Sequence, residues 1–396
     1  MAAFLECTSK LDANNKSENM IDFYYLVFII ILYFLTFSRG NERNRFKWAS
    51  IITLFFVGFR ACVVGADTYN YTLGYLDLNY YKNSDIEILY KNIYIPFLSN
   101  IIRYEPFFIF INTLVTLSPL YVLIKKYSNN RELSILCFFI FDLYISYFVA
   151  LRQILGISFL LWGVYFVVKN NRRKWVYYGF FSLIAFGFHK SMIIPSILYA
   201  IVYFLQMPSR NIVVMTILLT GTFGIVLNSF DVLKLFNAFL NLNLGLTTDR
   251  LNEYMNDNHL MVGLSSGMIY KLRFVWLGCF VYYFMDERRL NHWFSKLFLI
   301  SILLYNVFLN VDMIARMNLA FYIFSIVVFP WSFGERFRSI YIRKKWVVIY
   351  PVLIFAWFTQ AYVRSHIDYN LNNVDRMHPY CFFWEDYNNH PSITRF

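Results

Sequence analysis

The feature that most constrains the fold is a succession of long apolar runs separated by short polar connections. A helix that crosses a bilayer needs roughly 17 to 25 mostly apolar residues, because its backbone polar groups must pair within the helix. Such runs lie at 23–38, 47–64, 105–124, 132–150, 153–169, 174–188, 191–206, 211–229, 268–286, 293–311, 313–333 and 346–363. The sequence therefore predicts an all-α polytopic membrane protein with about twelve transmembrane helices.

Composition agrees with this class and excludes others. Of the 396 residues 59% are apolar and 15% charged, whereas soluble domains carry about 25% charged residues. The net charge of +12 does not indicate nucleic-acid binding, because the basic residues form short clusters between apolar runs. The five cysteines show neither a CxxC pair nor Cys/His ligand spacing. We expect no metal site, no cofactor and no nucleic-acid partner.

Basic residues predict which connections face the cytoplasm, since short cytoplasmic loops are enriched in Lys and Arg. Clusters fall in alternate connections: Arg39, Arg43, Arg45 and Lys47; Lys125, Lys126 and Arg131; Lys169, Arg172, Arg173 and Lys174; Arg210; Arg288, Arg289 and Lys296; Arg336, Arg338, Arg343, Lys344 and Lys345. This alternation places both termini outside the cytoplasm.

The predicted organisation has one membrane domain between two polar ends. Residues 1–22 form a non-cytoplasmic extension that lacks the basic start and the small-residue cleavage site of a signal peptide. Residues 23–363 form a single transmembrane domain with outer loops 65–104 and 230–267, and residues 364–396 form a non-cytoplasmic tail. The second outer loop begins with helically spaced apolar residues, which predicts an amphipathic helix on the outer surface.

Eight cations lie at or just inside the outer helix ends, where topology does not require them. They are Arg60, Arg103, Arg152, Lys190, Lys271, Arg273, Arg316 and Arg364. Each alone is compatible with snorkelling to lipid headgroups, but eight together favour a shared anionic ligand. Asp142, in the middle of a span, either faces the same cavity or pairs with an arginine.

Short motifs at these outer positions resemble one known family. Arg60 followed by GADTYNY at 65–71 is similar to the arginine, glycine-x-aspartate and asparagine-tyrosine signature of the EpsG family, which belongs with Wzy-type polysaccharide polymerases. The resemblance continues in order through YEPFF (104–108), LRQILGISF (151–159), FHKSMIIP (188–195), ARMNLAFYIF (315–324) and PYCFFW (379–384).

The resemblance implies an O-antigen or surface-polysaccharide polymerase. Such an enzyme transfers a glycan from undecaprenyl pyrophosphate to a lipid-linked repeat unit at the outer face of the bacterial inner membrane. It implies a metal-independent glycosyltransferase with a C-type-glycosyltransferase-like membrane architecture. The expected partners are the undecaprenyl-pyrophosphate-linked oligosaccharide and the lipid bilayer, and binding of a chain-length regulator protein is left open.

Developing charge on a pyrophosphate leaving group needs fixed cations, and arginine presents a permanently charged, planar fork of donors. Arg60, Arg152 and Arg316 are the candidates for this role, with Arg273 of second rank. Further candidates for substrate binding are Tyr71, Glu105, Gln153 and Lys190. Tyr71 offers an aromatic face and a hydroxyl to a sugar, although most tyrosines of its loop fit an interfacial belt.

The acceptor hydroxyl needs a base, for which His189 is the first candidate because imidazole titrates near neutral pH. The alternative for His189 is a structural role in bonding a backbone carbonyl. Asp67 is a second candidate base, or else it pairs with Arg60. Glu105 is a third acidic candidate, or else it pairs with Arg103.

Other functions in the same pathway fit part of this pattern. A flippase for lipid-linked oligosaccharide also has about twelve spans and a cationic cavity, but its charges are expected along a central channel. An O-antigen ligase shares the donor and delivers the glycan to a lipid A core. A membrane acyltransferase acting on glycans is a further alternative, and fold class does not decide among them.

Overall fold

The computed structural model describes residues 23–65, 67–81, 86–170, 172–229, 264–308, 312–367 and 380–385. Within these ranges the chain is helical, apart from connections and an isolated antiparallel bridge between Arg60 and Phe382. The helices are α1 (Phe23–Phe37), α2 (Glu42–Gly58), α3 (Thr68–Leu76), α4 (Ile95–Ile101), α5 (Glu105–Tyr127), α6 (Arg131–Ile140), α7 (Leu143–Val149), α8 (Leu151–Val168), α9 (Lys174–Phe188), α10 (Ile193–Phe204), α11 (Arg210–Ser229), α12 (Leu264–Phe284), α13 (Glu287–Leu290), α14 (Trp293–Phe308), α15 (Asp312–Tyr322), α16 (Ser325–Trp331), α17 (Glu335–Arg343) and α18 (Ile349–Ile367). A π-helical segment, Leu89–Tyr94, precedes α4, and 3₁₀ turns at Lys190–Met192 and Lys345–Val348 precede α10 and α18.

Part of the predicted organisation lies outside the described residues. This holds for the extension 1–22, for residues 230–263 of the second outer loop with its amphipathic helix, and for most of the tail after residue 367.

Each of the predicted apolar runs contains helix, so the membrane class is confirmed at this level. Among the described residues, three helices are long and apolar enough to cross a membrane: Glu105–Tyr127, Leu151–Val168 and Lys345–Val363. The bent pair α6 and α7 would make a fourth, and five further apolar helices have 10–17 residues. The count of about twelve spans stays a prediction.

Local signals explain where several helices begin and end. The side chain of Asn41 accepts a hydrogen bond from the Arg43 amide (2.9 Å), and Asn130 accepts one from the Leu133 amide (3.0 Å). Each bond satisfies an amide that has no partner within its own helix, so α2 and α6 begin after these residues. At α5, Pro106 occupies the first turn, where its missing N–H costs nothing.

Hydrogen bonds and ion pairs join most of the basic connections to one another at one end of the helices. The contacts are Arg45–Glu132, Trp331 Nε1 to the Tyr127 carbonyl, Arg289–Asn129, the Met207 amide to Asn291, and the Arg336 amide to Asp286. The connection before α9 joins the same end through Lys174 Nζ and the Tyr203 hydroxyl (3.2 Å). Most of the basic connections therefore lie at one end of the helices, while the membrane side that this end faces stays a prediction.

Helix α8 lies inside the molecule and positions the candidate site. It packs between α5 and α9, and 67% of its apolar stretch is buried within the protein. The Ser158 hydroxyl donates to the Ile154 carbonyl (2.7 Å) of its own helix and also lies 3.1 Å from the Thr116 carbonyl of α5. Because α8 packs against both α5 and α9, the backbone positions of Arg152 and Gln153 in its first turn are fixed.

The run 132–150 forms a broken helix rather than a straight span. Its two parts, α6 and α7, meet at an angle of 62°. Asp142 occupies the break in the left-handed conformation (φ 60°), which Asp and Asn tolerate better than most residues. Its Oδ2 lies 3.7 Å from Nη2 of Arg273, which is 2% exposed and stacks on the Phe358 ring (4.6 Å). Asp142 therefore pairs with an arginine, one of the two options left open by the sequence.

This pair yields a stability prediction. We expect Asp142→Asn and Arg273→Gln each to lower the free energy of unfolding by about 3–5 kcal/mol, because each breaks a largely buried ion pair. The double variant should recover a large part of that loss, since no charge remains, and Asn still accepts the left-handed backbone.

Thermal unfolding of the purified variants in the same detergent tests this expectation. Asp77→Asn is the matched control, because Asp77 lies in an exposed turn after α3 and should unfold like the parent. A double variant that loses the sum of the two single effects would contradict the pairing.

Candidate active site

The segment that carries the first motif pairs with the segment that carries the last one. The backbone of residues 59–61 pairs with that of residues 381–383: the Ala61 amide donates to the Cys381 carbonyl (2.9 Å), and the Phe383 amide donates to the Phe59 carbonyl (3.1 Å). This joins the first and last motifs, which are more than 300 residues apart in the chain.

Arg60 is 3% exposed and faces the protein interior. Its Nη2 donates to the Tyr147 carbonyl (3.2 Å), its Nη1 donates to the Val57 carbonyl, and its guanidinium lies 4.5 Å from the centre of the Phe148 ring. These contacts place the charge between the end of α2 and the end of α7.

The following residues also pack against α7. Gly65 has φ +107°, and a Cβ at this position would lie 2.3 Å from the Phe148 carbonyl oxygen. Both facts require glycine here. The Thr68 hydroxyl donates to the same carbonyl (2.5 Å) at the start of α3. The carbonyls at the end of α7 therefore fix the loop that leads to Asp67 and Tyr71.

A buried carboxylate, Glu87, forms the centre of a polar cluster. Its Oε2 accepts from Nη1 of Arg152 (2.5 Å), and its Oε1 accepts from the Lys190 amide (3.2 Å). Arg152 Nε lies 3.3 Å from the Tyr71 hydroxyl, and its guanidinium lies 5.8 Å from the Tyr71 ring centre. Burial raises the pKa of Tyr71, so the phenol remains neutral near neutral pH.

His189 lies at the end of α9, beside this cluster. Its Nδ1 lies 2.6 Å from the Ser191 hydroxyl oxygen. Burial lowers the pKa of His189 below its ordinary value, and the charges of Arg152 and Arg316 lower it further, while Glu87 opposes them. The imidazole is therefore neutral near neutral pH, which is the form that accepts a proton.

Gln153 connects α8 to α15. Its Nε2 donates to the carbonyl of Arg316 (2.5 Å), whose side chain is exposed. The charge of Arg316 also lowers the pKa of His189. The cluster thus draws on three motifs, which supply Arg152 with Gln153, His189, and Arg316.

The remaining candidates occupy different places. Asp67 is exposed and lies near Tyr71, whose pKa it raises. The Lys190 side chain is exposed, although its amide binds Glu87. Glu105 accepts a hydrogen bond from the Cys62 amide (3.2 Å) in the loop beyond Arg60.

Arg273 lies in the ion pair with Asp142. The structure therefore groups the four candidate arginines differently: the charges of Arg152 and Arg316 act on His189, whereas Arg60 and Arg273 make other contacts. The chemical roles predicted for all of these residues stay predictions.

Sequence reasoning missed Glu87. A signal was present, because this acidic residue stands between Ile86 and Ile88 in the tyrosine-rich loop. An acidic side chain among apolar ones predicts a buried, paired carboxylate. The partners, Arg152 and Lys190, are 65 and 103 residues away in the chain and carry no local sign of the pairing.

Comparison with protein families identifies the family of this chain. The sequence profile of the EpsG family matches residues 46–380, which is most of the chain. The chain belongs to the EpsG family. Members of this family are similar to Wzy-type polymerases, so this EpsG protein is expected to act in a polysaccharide-polymerase-like reaction. No curated protein and no solved structure matches the chain.

In this EpsG protein, the residues of the polar cluster differ in their exposure to solvent. Tyr71 and Glu87 are buried, whereas the Arg152 side chain is 24% exposed and Arg316 is exposed. Both arginines are therefore accessible to an anion in solution. Within the described residues, no group of three His, Cys, Asp or Glu side chains has the spacing to hold a metal ion.

The charges around His189 yield a prediction on pH. Activity that needs neutral imidazole falls as pH drops through the pKa of His189. Glu87→Gln removes the charge that raises this pKa and should move the acid limb of the rate profile to lower pH. Arg316→Gln removes a charge that lowers it and should move the acid limb to higher pH.

Rates of glycan extension by the purified protein, measured across pH, test these opposite shifts. Asp77→Asn is the control, because it removes an exposed carboxylate that does not contribute to the pKa of His189. Shifts of the same sign in both variants would show that another group sets the acid limb.

Proposed function

We propose that this protein is a surface-polysaccharide polymerase of the O-antigen type. It transfers a glycan from undecaprenyl pyrophosphate to a lipid-linked repeat unit at the outer face of the bacterial inner membrane. The observation that carries the proposal is a connected polar cluster: Arg152 pairs with Glu87, Gln153 bonds the Arg316 carbonyl, and the charges of both arginines act on His189. Family membership supports the same class of reaction.

In the proposed reaction, the two arginines bind the pyrophosphate of the donor. Arg152 uses Nη1 for Glu87 and Nε for Tyr71. Among the described residues its Nη2 makes no hydrogen bond, so this donor is available to a phosphate oxygen. The bond from C1 of the donor sugar to the phosphate oxygen breaks, and the pyrophosphate departs with the electron pair. Fixed positive charge stabilises that departing anion.

His189 acts as the base in this proposal. In the tautomer that donates from Nδ1 to Ser191, Nε2 carries the lone pair and takes the proton of the attacking sugar hydroxyl. The new glycosidic bond forms between that oxygen and C1 of the donor. Asp67, near Tyr71, is the competing base, and Lys190 is a further substrate contact.

The structure supports different roles for the other candidates. Arg60 bonds backbone carbonyls and is buried, so we assign it to holding residues 61–65 against α7 rather than to contact with pyrophosphate. Glu105 supports the same loop through the Cys62 amide. Arg273, paired with Asp142, supports the broken helix.

A charge distribution along the helices would favour a flippase. Arg152 lies instead in the first turn of α8 and Arg316 in the first half of α15, which favours a reaction at one surface. A ligase would use the same donor site, so only the acceptor distinguishes it from a polymerase. The location in the inner membrane and the non-cytoplasmic termini belong to this proposal.

Substitution of the arginines tests the proposal. We expect Arg152→Ala or Arg316→Ala to reduce chain extension by roughly 10²–10³-fold, the usual effect of removing one donor to a developing anion. Arg103→Ala is the matched control, because Arg103 lies exposed before α5 and bonds Ser99. It should extend chains like the parent. Purified protein with lipid-linked repeat units gives the measurement, read as a ladder of product lengths.

Loss of the gene separates the alternatives. A strain without a polymerase carries single repeat units on its lipid A core, whereas loss of a flippase or ligase leaves none.

Normal product ladders from both Arg152→Ala and Arg316→Ala, at normal protein levels, would remove these two residues from the proposed reaction.

A further inference from the structure

The helix α17 combines positive charge with exposed apolar side chains. No residue of α17 is buried. On its inner side, the Phe337 ring packs near those of Phe284 and Phe333, both 5.3 Å away between centres. On its outer side, Ile342 is 68% exposed, and Trp346 in the following turn is 59% exposed. The chain then continues directly into the apolar segment Lys345–Val363, which is long enough to cross a membrane.

Four cations surround these exposed apolar groups. Arg338, Arg343, Lys344 and Lys345 are exposed, and within the described residues their side chains form no ion pair or hydrogen bond. Arg336 differs, because its Nε donates to the Tyr283 carbonyl (2.8 Å). The cluster therefore presents unneutralised charge beside apolar side chains at the start of a span.

We propose that the surface formed by Arg338, Ile342, Arg343, Lys344 and Trp346 binds anionic phospholipid headgroups. Basic clusters next to a span attract anionic lipid, and an exposed indole beside aliphatic groups enters the headgroup region. A soluble acidic partner would leave Ile342 and Trp346 without apolar surroundings, whereas the bilayer covers them. This inference does not depend on the proposed glycan reaction.

Quenching of Trp346 fluorescence by brominated lipid tests the proposal. Full-length protein is placed in phosphatidylcholine bilayers containing equal fractions of brominated phosphatidylglycerol or brominated phosphatidylcholine. Nine tryptophans contribute to the emission, so the Trp346 signal is the difference between the parent and Trp346→Phe. We expect brominated phosphatidylglycerol to quench this signal at least about two-fold more, because several cations attract that lipid. If both brominated lipids quench the Trp346 signal equally, the proposal is overturned, and no charge variant is needed for that conclusion.

Two matched triple variants identify which residues cause the stronger quenching by brominated phosphatidylglycerol. Arg338→Gln, Arg343→Gln and Lys344→Gln together should abolish it. Arg39→Gln, Arg43→Gln and Lys47→Gln remove the same charge from exposed residues before and in α2 and should preserve it. Equal loss in both variants would assign the preference to net charge and overturn a local site. Polymerase activity plays no part in the readout, so a failure here leaves the glycan proposal intact.

Discussion

The carboxylate of Glu87 joins three separate parts of the chain. It binds the Arg152 side chain in the first turn of α8 and the Lys190 amide beyond α9, while its own backbone leads into the π-helical segment before α4. A buried charge is costly unless it is paired and hydrogen-bonded. The arrangement of these elements is therefore the one that satisfies Glu87, and it brings the candidate reactive groups together.

The carbonyls at the end of α7 have a similar role for the neighbouring loop. They receive Arg60 and Thr68, and Gly65 packs directly against one of them. The position of α7 follows from the break at Asp142 and its pair with Arg273. In the apolar interior of this protein, hydrogen bonds and ion pairs are stronger than in water, so each of these contacts helps to fix the geometry.

Arg60 and Arg152 show how residues of one type at similar helix ends acquire different roles. Arg60 is enclosed by backbone carbonyls and an aromatic ring, whereas Arg152 keeps part of its guanidinium exposed. The first arrangement stabilises a loop. The second combines a fixed orientation with access for an anion, which is what stabilisation of a leaving group needs.

The sequence by itself determined the helical membrane class, the alternation of basic connections and the family, because apolar run length, charge and ordered motifs are local properties. It also identified most members of the cluster, such as His189 and Arg152. Only the tertiary structure decided which arginines act on His189 and that Glu87 pairs with Arg152. The physical reason is distance along the chain: a buried charge selects its partner after helices pack, and no local pattern records that partner.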